Sequence, residues 1–198
     1  MDDTSLVIDV IDNGGQWTHR EWRMLRYLGV DTQILPNKTP LDELREVDGL
    51  ILSGGAARVG LTGELGNCGG YLSLDVPILG ICAGHQFMAG FLRRQGSRGA
   101  QARVRGRDDN TRRWRRSDVR GDAGRADSMG EPQRRGRTGP PWFRDYPGKS
   151  ESCEVQGMEN KAGDRFGLQF HPEVNDSEYG ARIFENFVAV CERAHRAR

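Results

Sequence analysis

Five short apolar runs, each bounded by turn residues, recur along the chain. They are "SLVIDVID" (5–12), "DTQIL" (31–35), "DGLILSGG" (48–55), "LDVPILGIC" (74–82) and "FGLQFH" (166–171). Runs of this length and composition are typical of strands that are buried on both faces. Because helical stretches separate most of them, the pattern predicts a parallel sheet whose strands are connected through helices.

The segments between these runs have helical periodicity. "QWTHREWRMLRYLG" spaces Trp22, Leu25 and Leu28 along one face and ends at Gly29, which is suited to terminate a helix. "PLDELREV" (40–47) predicts a short second helix, and "AGHQFMAGFL" a third. The last helix has one apolar stripe, made of Ile183, Phe184, Phe187, Val188 and Cys191. Together these elements predict a single α/β domain with a doubly wound, mostly parallel sheet and helices on both faces.

The middle of the chain departs from this pattern. Residues 93–147 contain 16 Arg, 7 acidic residues and no Leu or Ile, whereas the rest of the chain contains 13 basic and 21 acidic residues. A segment with so few apolar side chains cannot offset the entropy of its own ordering by burial. RNA-binding segments also have Arg- and Gly-rich compositions, so the charge pattern alone leaves that function open.

Cysteine usage and hydropathy indicate the setting of the protein. Cys68, Cys82, Cys153 and Cys191 have no zinc-like spacing and form no CxxC pair, so the sequence predicts free thiols and no metal site. No apolar run approaches the roughly 18 residues needed to span a membrane, and the amino terminus lacks a signal-peptide pattern. We therefore expect a cytoplasmic protein without a membrane partner.

The segment "ILGICAGHQFMAG" joins a buried strand to a helix through small residues, with Cys82 at the turn. This arrangement is typical of a nucleophile elbow, in which glycines such as Gly80 and Gly84 make room for a strained backbone. A sulfur at the amino end of a helix has a lowered pKa and reacts more readily, as the thiolate. The alternative interpretation is a buried core cysteine beside a tight turn.

A base for this cysteine is available in "LQFHPEV" (168–174). His171 and Glu173 lie two residues apart at the end of a predicted strand, and residues with that spacing point to the same side. The Glu173 carboxylate can therefore fix the tautomer of His171 and stabilise its protonated ring. An ordinary strand end can contain His-Pro-Glu, but a cysteine elbow in the same α/β chain favours a Cys-His-Glu triad.

These motifs, in this order and spacing, resemble those of the class I, or triad, glutamine amidotransferases. The matching pieces are "LSGG" (52–55), "GICAGHQ" (80–86) and "QFHPEV" (169–174). The amino-terminal "IDNGGQWTHREWRMLRYLGVDTQILPN" is similar to the separate glutaminase subunits of archaeal-type GMP synthases, and the similarity covers residues 5–92 and 148–191. The resemblance implies the flavodoxin-like fold of that family.

The resemblance also implies roles for individual residues. Cys82 would attack the side-chain amide of glutamine, His171 would pass its proton to the leaving ammonia, and Glu173 would orient His171. Substrate and oxyanion would be held by Gly54, Gly55, Ala83 and Gln86. The backbone N–H groups of Gly55 and Ala83 match the oxyanion donors, and Gln86 matches a contact to glutamine. His85 is expected to be a structural histidine.

Ammonia is an intermediate in this family. An ATP-dependent GMP synthase synthetase subunit, forming a heterodimer with this chain, would use ATP and Mg to activate XMP and would take up the ammonia to make GMP. The chain has no P-loop, so we expect it to hold no cofactor and no nucleic acid. Two alternatives stay open. One is a triad glutaminase for anthranilate or carbamoyl-phosphate synthesis, against which "DNGGQWTHR" speaks, and the other is an inactive scaffold with an RNA-binding segment.

The family carries a further Ser-His-x-Asp/Glu element that helps to hold glutamine, and this chain lacks it. The resemblance would place it near residues 128–136, within "SMGEPQRRGRTGPPWFRDY". Met129 and Trp142 each have one codon, and a one-base shift with permitted synonymous codons can spell Trp-Val-Ser-His-Ser-Asp-Glu-Val there. We therefore interpret residues 93–147 as read from a shifted frame, ahead of a genuine insert. We expect them to lie outside the core and the chain to be weakly active or inactive.

Overall fold

A six-stranded sheet forms the centre of the molecule. The computed structural model describes residues 5–56, 64–94, 157–160, 162–174, 177 and 179–198. The strands are β1 (Ile8–Asp12), β2 (Ile34–Pro36), β3 (Gly49–Leu52), β4 (Ile78–Ile81), β5 (Gly157–Glu159) and β6 (Arg165–Leu168). They lie in the order β2-β1-β3-β4-β6-β5, and all neighbours are parallel except β5 and β6. The predicted, mostly parallel sheet is confirmed.

Helices cover both faces of this sheet, as predicted. They are α1 (Thr18–Tyr27), α2 (Cys68–Tyr71), α3 (Ala83–Arg94) and α4 (Gly180–Arg196). Ile8 and Val10 pack with α1 and α4, whereas Ile11, on the other face of β1, packs with α2 and α3. Alternate residues of a strand therefore build two apolar layers. Among the residues that the structure describes, none of the helices has both the length and the apolar character to cross a membrane.

Helix α1 ends where the sequence predicts. Gly29 follows it with a φ of 78°, in the left-handed region that glycine enters without steric cost. The N–H of Gly29 donates to the Arg26 carbonyl at 3.1 Å, and the Val30 N–H donates to the Leu25 carbonyl, also at 3.1 Å. These bonds satisfy carbonyls at the end of the helix and direct the chain towards β2.

The short helix predicted in "PLDELREV" is wrong. Only Leu41–Glu43 form a turn of 3-10 helix, without a buried side chain, and the backbone is extended at Leu44. Such a short segment gains too little to nucleate an α-helix. Arg45 instead leaves the helical path to pair with Asp9 at 2.5 Å and with Asp31 at 2.8 Å.

Two short elements, α2 and β5, were not predicted. Four residues in α2 and three in β5 are too few to produce a recognisable period. The predictions for residues 93–147 lie outside the described residues, except that Arg93 and Arg94 end α3. Cys153 lies outside them as well.

The sheet topology determines where a site can form. β1, β3, β4 and β6 run parallel, so their carboxyl ends meet at one edge of the sheet. The loop residues that follow these four strands therefore lie side by side. In doubly wound folds this edge is where ligands bind.

Candidate active site

Cys82 occupies a strained turn between β4 and α3. Its φ is 49°, a left-handed conformation that is rare for a residue with a side chain. The Cys82 N–H donates to the Leu168 carbonyl of β6 at 2.8 Å, and the Cys82 carbonyl accepts from the Gln86 N–H at 2.9 Å. The sheet on one side and the first turn of α3 on the other hold the strained residue. This is the geometry expected of a nucleophile elbow.

Two glycines make the elbow possible. A Cβ on Gly84 would run into the Leu52 carbonyl of β3, and a Cβ on Gly80 would lie 2.7 Å from the backbone carbon of Gly84. The start of α3 therefore packs directly on the backbones of β3 and β4. Any larger residue would push the helix away and move Cys82.

His171 and Glu173 meet as their spacing predicts. His171 Nδ1 lies 2.5 Å from Glu173 Oε1, and the Glu173 side chain is fully buried. The His171 side chain is 29% exposed. The Ser177 hydroxyl donates to the His171 carbonyl at 2.9 Å, which fixes the loop. His171 also makes a side-chain hydrogen bond with Cys82, so the three predicted residues converge.

The charges of this cluster favour a thiolate–imidazolium pair. The hydrogen bond to His171 lowers the pKa of the Cys82 thiol, against the effect of burial. The hydrogen bonds to Cys82 and Glu173 raise the pKa of His171 to about 10. By contrast, burial raises the pKa of Cys68 to about 12 and raises that of Cys191 as well. Of the cysteines that the structure describes, Cys82 alone is activated as a nucleophile.

A chain of side-chain amides leads from solvent to the sulfur of Cys82. The Gln169 amide nitrogen donates to Cys82 Sγ at 3.7 Å, and its oxygen accepts from the exposed Gln86 amide at 3.0 Å. The predicted substrate contact, Gln86, therefore lies at the mouth of the site. Gln169 was missed at the sequence level because nothing in its spacing separates it from an ordinary strand-end residue.

The predicted oxyanion residues lie around the same sulfur to different degrees. The Ala83 N–H interacts with the Cys82 thiolate and lowers its pKa. A Cβ on Gly54 would lie 3.6 Å from Cys82 Cβ and 2.7 Å from His171 Cε1, so Gly54 lines the site. Gly55 packs against the Asn13 carbonyl instead. Its N–H as an oxyanion donor stays a prediction.

The loops after β1 and β3 hold each other in place. The Asn13 N–H donates to Ser53 Oγ at 2.9 Å, and the Asn13 side-chain amide donates to the Ser53 carbonyl at 2.8 Å. These bonds position Gly54 beside His171. His85 is buried, and burial lowers its pKa to about 4, so the ring is neutral. This agrees with its expected structural role.

Glu21 is a further polar residue at the site that sequence reasoning missed. It lies in the first turn of α1, is fully buried, and interacts electrostatically with Glu173 and His171. The signal in the sequence was its position four residues before Leu25, on the buried face of the helix. A charged residue in an otherwise apolar stripe indicates a special environment.

A strained cysteine, a histidine and a buried glutamate at the carboxyl edge of a doubly wound sheet define a triad hydrolase of the amidotransferase type. The family model for glutamine amidotransferase class-I matches residues 9–191, and the chain belongs to this family.

Proteins similar to this chain share one description, that of a subunit of the glutamine-hydrolyzing GMP synthase. Such a subunit from Picrophilus torridus is 40% identical over 190 residues, covering 94% of this chain and 99% of the relative. Its counterpart from Haloarcula marismortui is 40% identical over 206 residues, covering 96% and 98%. A solved structure from Thermoplasma acidophilum, described as a candidate GMP synthase subunit, superposes with a TM-score of 0.67 at 32% identity, covering 98% and 97%.

Proposed function

We propose that this chain is the glutaminase subunit of a GMP synthase. It hydrolyses glutamine to glutamate and ammonia, with Cys82 as nucleophile, His171 as base and acid, and Glu173 as the group that orients His171. The observation that carries the proposal is the convergence of these three side chains on the strained turn after β4. Family membership and the relatives' shared description support the substrate.

The geometry supports a two-step reaction. The Cys82 thiolate attacks the side-chain carbonyl carbon of glutamine, and the negative charge moves to the carbonyl oxygen. Protonated His171 then gives its proton to the amide nitrogen, the C–N bond breaks, and ammonia leaves a glutamyl thioester on Cys82. His171, now neutral, takes a proton from water, whose oxygen attacks the thioester. Glutamate leaves, and the thiolate–imidazolium pair is restored.

The oxyanion requires donors that are already in place. The Ala83 N–H faces the sulfur from the start of α3, and a helix amino terminus favours developing negative charge. Gly55 N–H is the second proposed donor. Gln86, exposed at the mouth, is proposed to contact the glutamine substrate.

The ammonia is used by a second protein in this proposal. The relatives are each described as one subunit of a synthase, which supports a partner for this chain. We propose that the partner is an ATP-dependent synthetase that binds ATP and Mg and converts XMP to GMP, while this chain holds no cofactor. The free thiols of Cys68, Cys82 and Cys191 support a reducing, cytoplasmic setting.

The proposal is tested by reconstitution with the synthetase subunit of the same organism. With XMP, ATP and Mg, glutamine should support GMP formation, and Cys82→Ala should abolish it. Ammonium chloride should support GMP formation equally with both chains, because the partner then needs no glutaminase. Glutamine-dependent formation of anthranilate or carbamoyl phosphate with the respective synthases, and none of GMP, would overturn the proposal.

The unusual segment requires a second arm of the same assay. A variant carries the frame-shifted translation in place of residues 93–147. It should reach half-maximal GMP formation at a lower glutamine concentration than the parent chain, because it restores the Ser-His element. Equal glutamine dependence of the two chains would contradict the shifted-frame interpretation and leave the assignment of Cys82 intact.

A further inference from the structure

Two buried carboxyl groups next to His171 are incompletely paired. Glu21 is 0% exposed, and within the described part of the chain neither of its oxygens has a hydrogen-bond partner. Oε2 of Glu173 is also buried without a partner there, whereas its Oε1 contacts His171. Buried polar atoms normally have partners, because an unsatisfied one costs about 1–3 kcal/mol. The two orphaned carboxyl groups therefore need a common explanation.

Counting charges shows that one proton is required. The Cys82 thiolate, the His171 imidazolium and the Glu173 carboxylate already sum to one negative charge in a largely buried cluster. An ionised Glu21 would add a second, and the one imidazolium is in contact with Glu173 at 2.5 Å. A buried carboxylate without its own cation is strongly disfavoured, and two neighbouring carboxylates do not both ionise readily. Glu21 is the member of the pair without a cation, so it keeps the proton.

We propose that Glu21 is a protonated carboxylic acid beneath the triad and directs its O–H towards the free Oε2 of Glu173, making Glu21 a positioning residue for the triad. One proton then satisfies an orphaned oxygen on each group. Glu173 is held from below and stays the only anionic partner of His171. The inference rests on the proposed function for its role in turnover, but not for the protonation of Glu21.

The surroundings of Glu21 agree with this assignment. Burial and the neighbouring charge of Glu173 raise the pKa of Glu21. The Gly54 N–H and the charge of His171 oppose this effect, and Asp12 adds to it. The Gly54 N–H faces the carboxyl without the geometry of a hydrogen bond. The other neighbours on that face of α1 include apolar side chains of α4.

Infrared spectroscopy of the full chain tests the protonation directly. Spectra are recorded in D2O near neutral pD for the parent chain, for Glu21→Gln and for the matched control Glu185→Gln, which replaces an exposed glutamate of α4. We expect the carbonyl-stretch band of a protonated carboxylic acid in the parent and in Glu185→Gln. It should be lost in Glu21→Gln. The absence of any difference between the parent and Glu21→Gln in this band would overturn the proposal.

The positioning role is tested by the rate at which iodoacetamide alkylates Cys82 at neutral pH. Glu21→Leu fills the space without a donor and should slow alkylation about tenfold, the usual effect of losing a hydrogen bond to a charged group. Glu21→Gln keeps a neutral N–H donor and should slow it less. Equal rates for Glu21→Gln and Glu21→Leu would overturn the role, and so would a Glu21→Leu rate equal to that of the parent.

These outcomes separate the inference from the proposed function. Circular dichroism checks that each variant is folded, and if Glu21→Leu fails to fold, the infrared band and the rate of Glu21→Gln still decide. A Glu21→Gln rate as low as that of His171→Ala would then count against the role. Neither readout needs glutamine turnover. A chain that shows the band but forms no glutamate would overturn the proposed function alone.

Discussion

The side-chain amide of Gln169 donates to the sulfur of Cys82 at 3.7 Å, while its oxygen is held by Gln86 at 3.0 Å. Gln169 follows β6 and Cys82 follows β4, and these strands are neighbours in the sheet. The amide is thus a fixed donor that favours the charged form of the sulfur and lowers the pKa of Cys82. Substrate that engages Gln86 would act on the same chain of amides.

Replacing Gln169 should make Cys82 less acidic. Gln169→Leu removes the donor, so the pKa of Cys82 should rise and alkylation by iodoacetamide at neutral pH should slow about threefold to tenfold. At high pH, where the thiol is ionised in both chains, the rates should converge. Gln16→Leu, at an exposed position, is the control. A pH profile of alkylation that does not move in Gln169→Leu would show that the contact has no effect on the thiol.

His171 and Glu173 should contribute unequally to turnover. His171→Ala removes the base and also the group that contributes most to lowering the pKa of Cys82, so glutaminase activity should be lost and alkylation at neutral pH should slow. Glu173→Gln keeps a side chain beside His171 and should retain more activity. Initial rates of glutamate formation provide the comparison. Lower activity in Glu173→Gln than in His171→Ala would contradict the assigned roles.

Two glycines of α3 provide a matched pair for testing the elbow. Gly84→Ala forces a methyl group against the Leu52 carbonyl, whereas the same change at Gly90 meets nothing within 4 Å. We expect Gly84→Ala to lower the free energy of unfolding by about 2 kcal/mol and to reduce Cys82 reactivity. Gly90→Ala should raise it by about 0.5–1 kcal/mol, since alanine favours the helix. Urea unfolding of both variants measures the difference. Similar effects at both positions would argue against close packing at the elbow.

The sequence predicts those parts of the site that depend on local pattern. The turn at Cys82 could be predicted because a nucleophile elbow requires small residues at fixed positions, and the His171–Glu173 contact because residues two apart share a side of an extended chain. Glu21 and Gln169 could not be assigned in this way. They reach the site from α1 and from the end of β6, and only tertiary packing brings them to it. The failed helix at residues 40–47 has a similar cause, because Arg45 is fixed by carboxylates distant in sequence.

Glu21 should make stability depend on pH in a predictable direction. Burial raises its pKa above 4.5, the value expected in the unfolded chain. Above pH 4.5 the unfolded chain has lost this proton while the folded chain keeps it. The contribution of Glu21 to stability is therefore fully present below pH 4.5 and falls as the pH rises, until the folded group titrates.

Glu21→Gln should remove this dependence. Relative to the parent, its free energy of unfolding should increase with pH above 4.5, by at most about 1.4 kcal/mol per pH unit. Urea unfolding at pH about 5 and about 8, followed by tryptophan fluorescence, measures the two differences. A constant cost of the glutamine cancels in the comparison. Equal differences at the two pH values would mean that Glu21 has an ordinary pKa in the folded chain.

Every step of the proposed reaction passes through a glutamyl thioester on Cys82, and this intermediate can be trapped. The chain is mixed with saturating glutamine, quenched in acid during turnover, digested and mapped by mass spectrometry. We expect one glutamyl group on the peptide containing Cys82, retained in Cys68→Ala and Cys191→Ala and absent from Cys82→Ala, which should also release no ammonia. A glutamyl group on Cys68 or Cys191, or ammonia release that persists in Cys82→Ala, would contradict the assignment of Cys82 as the nucleophile.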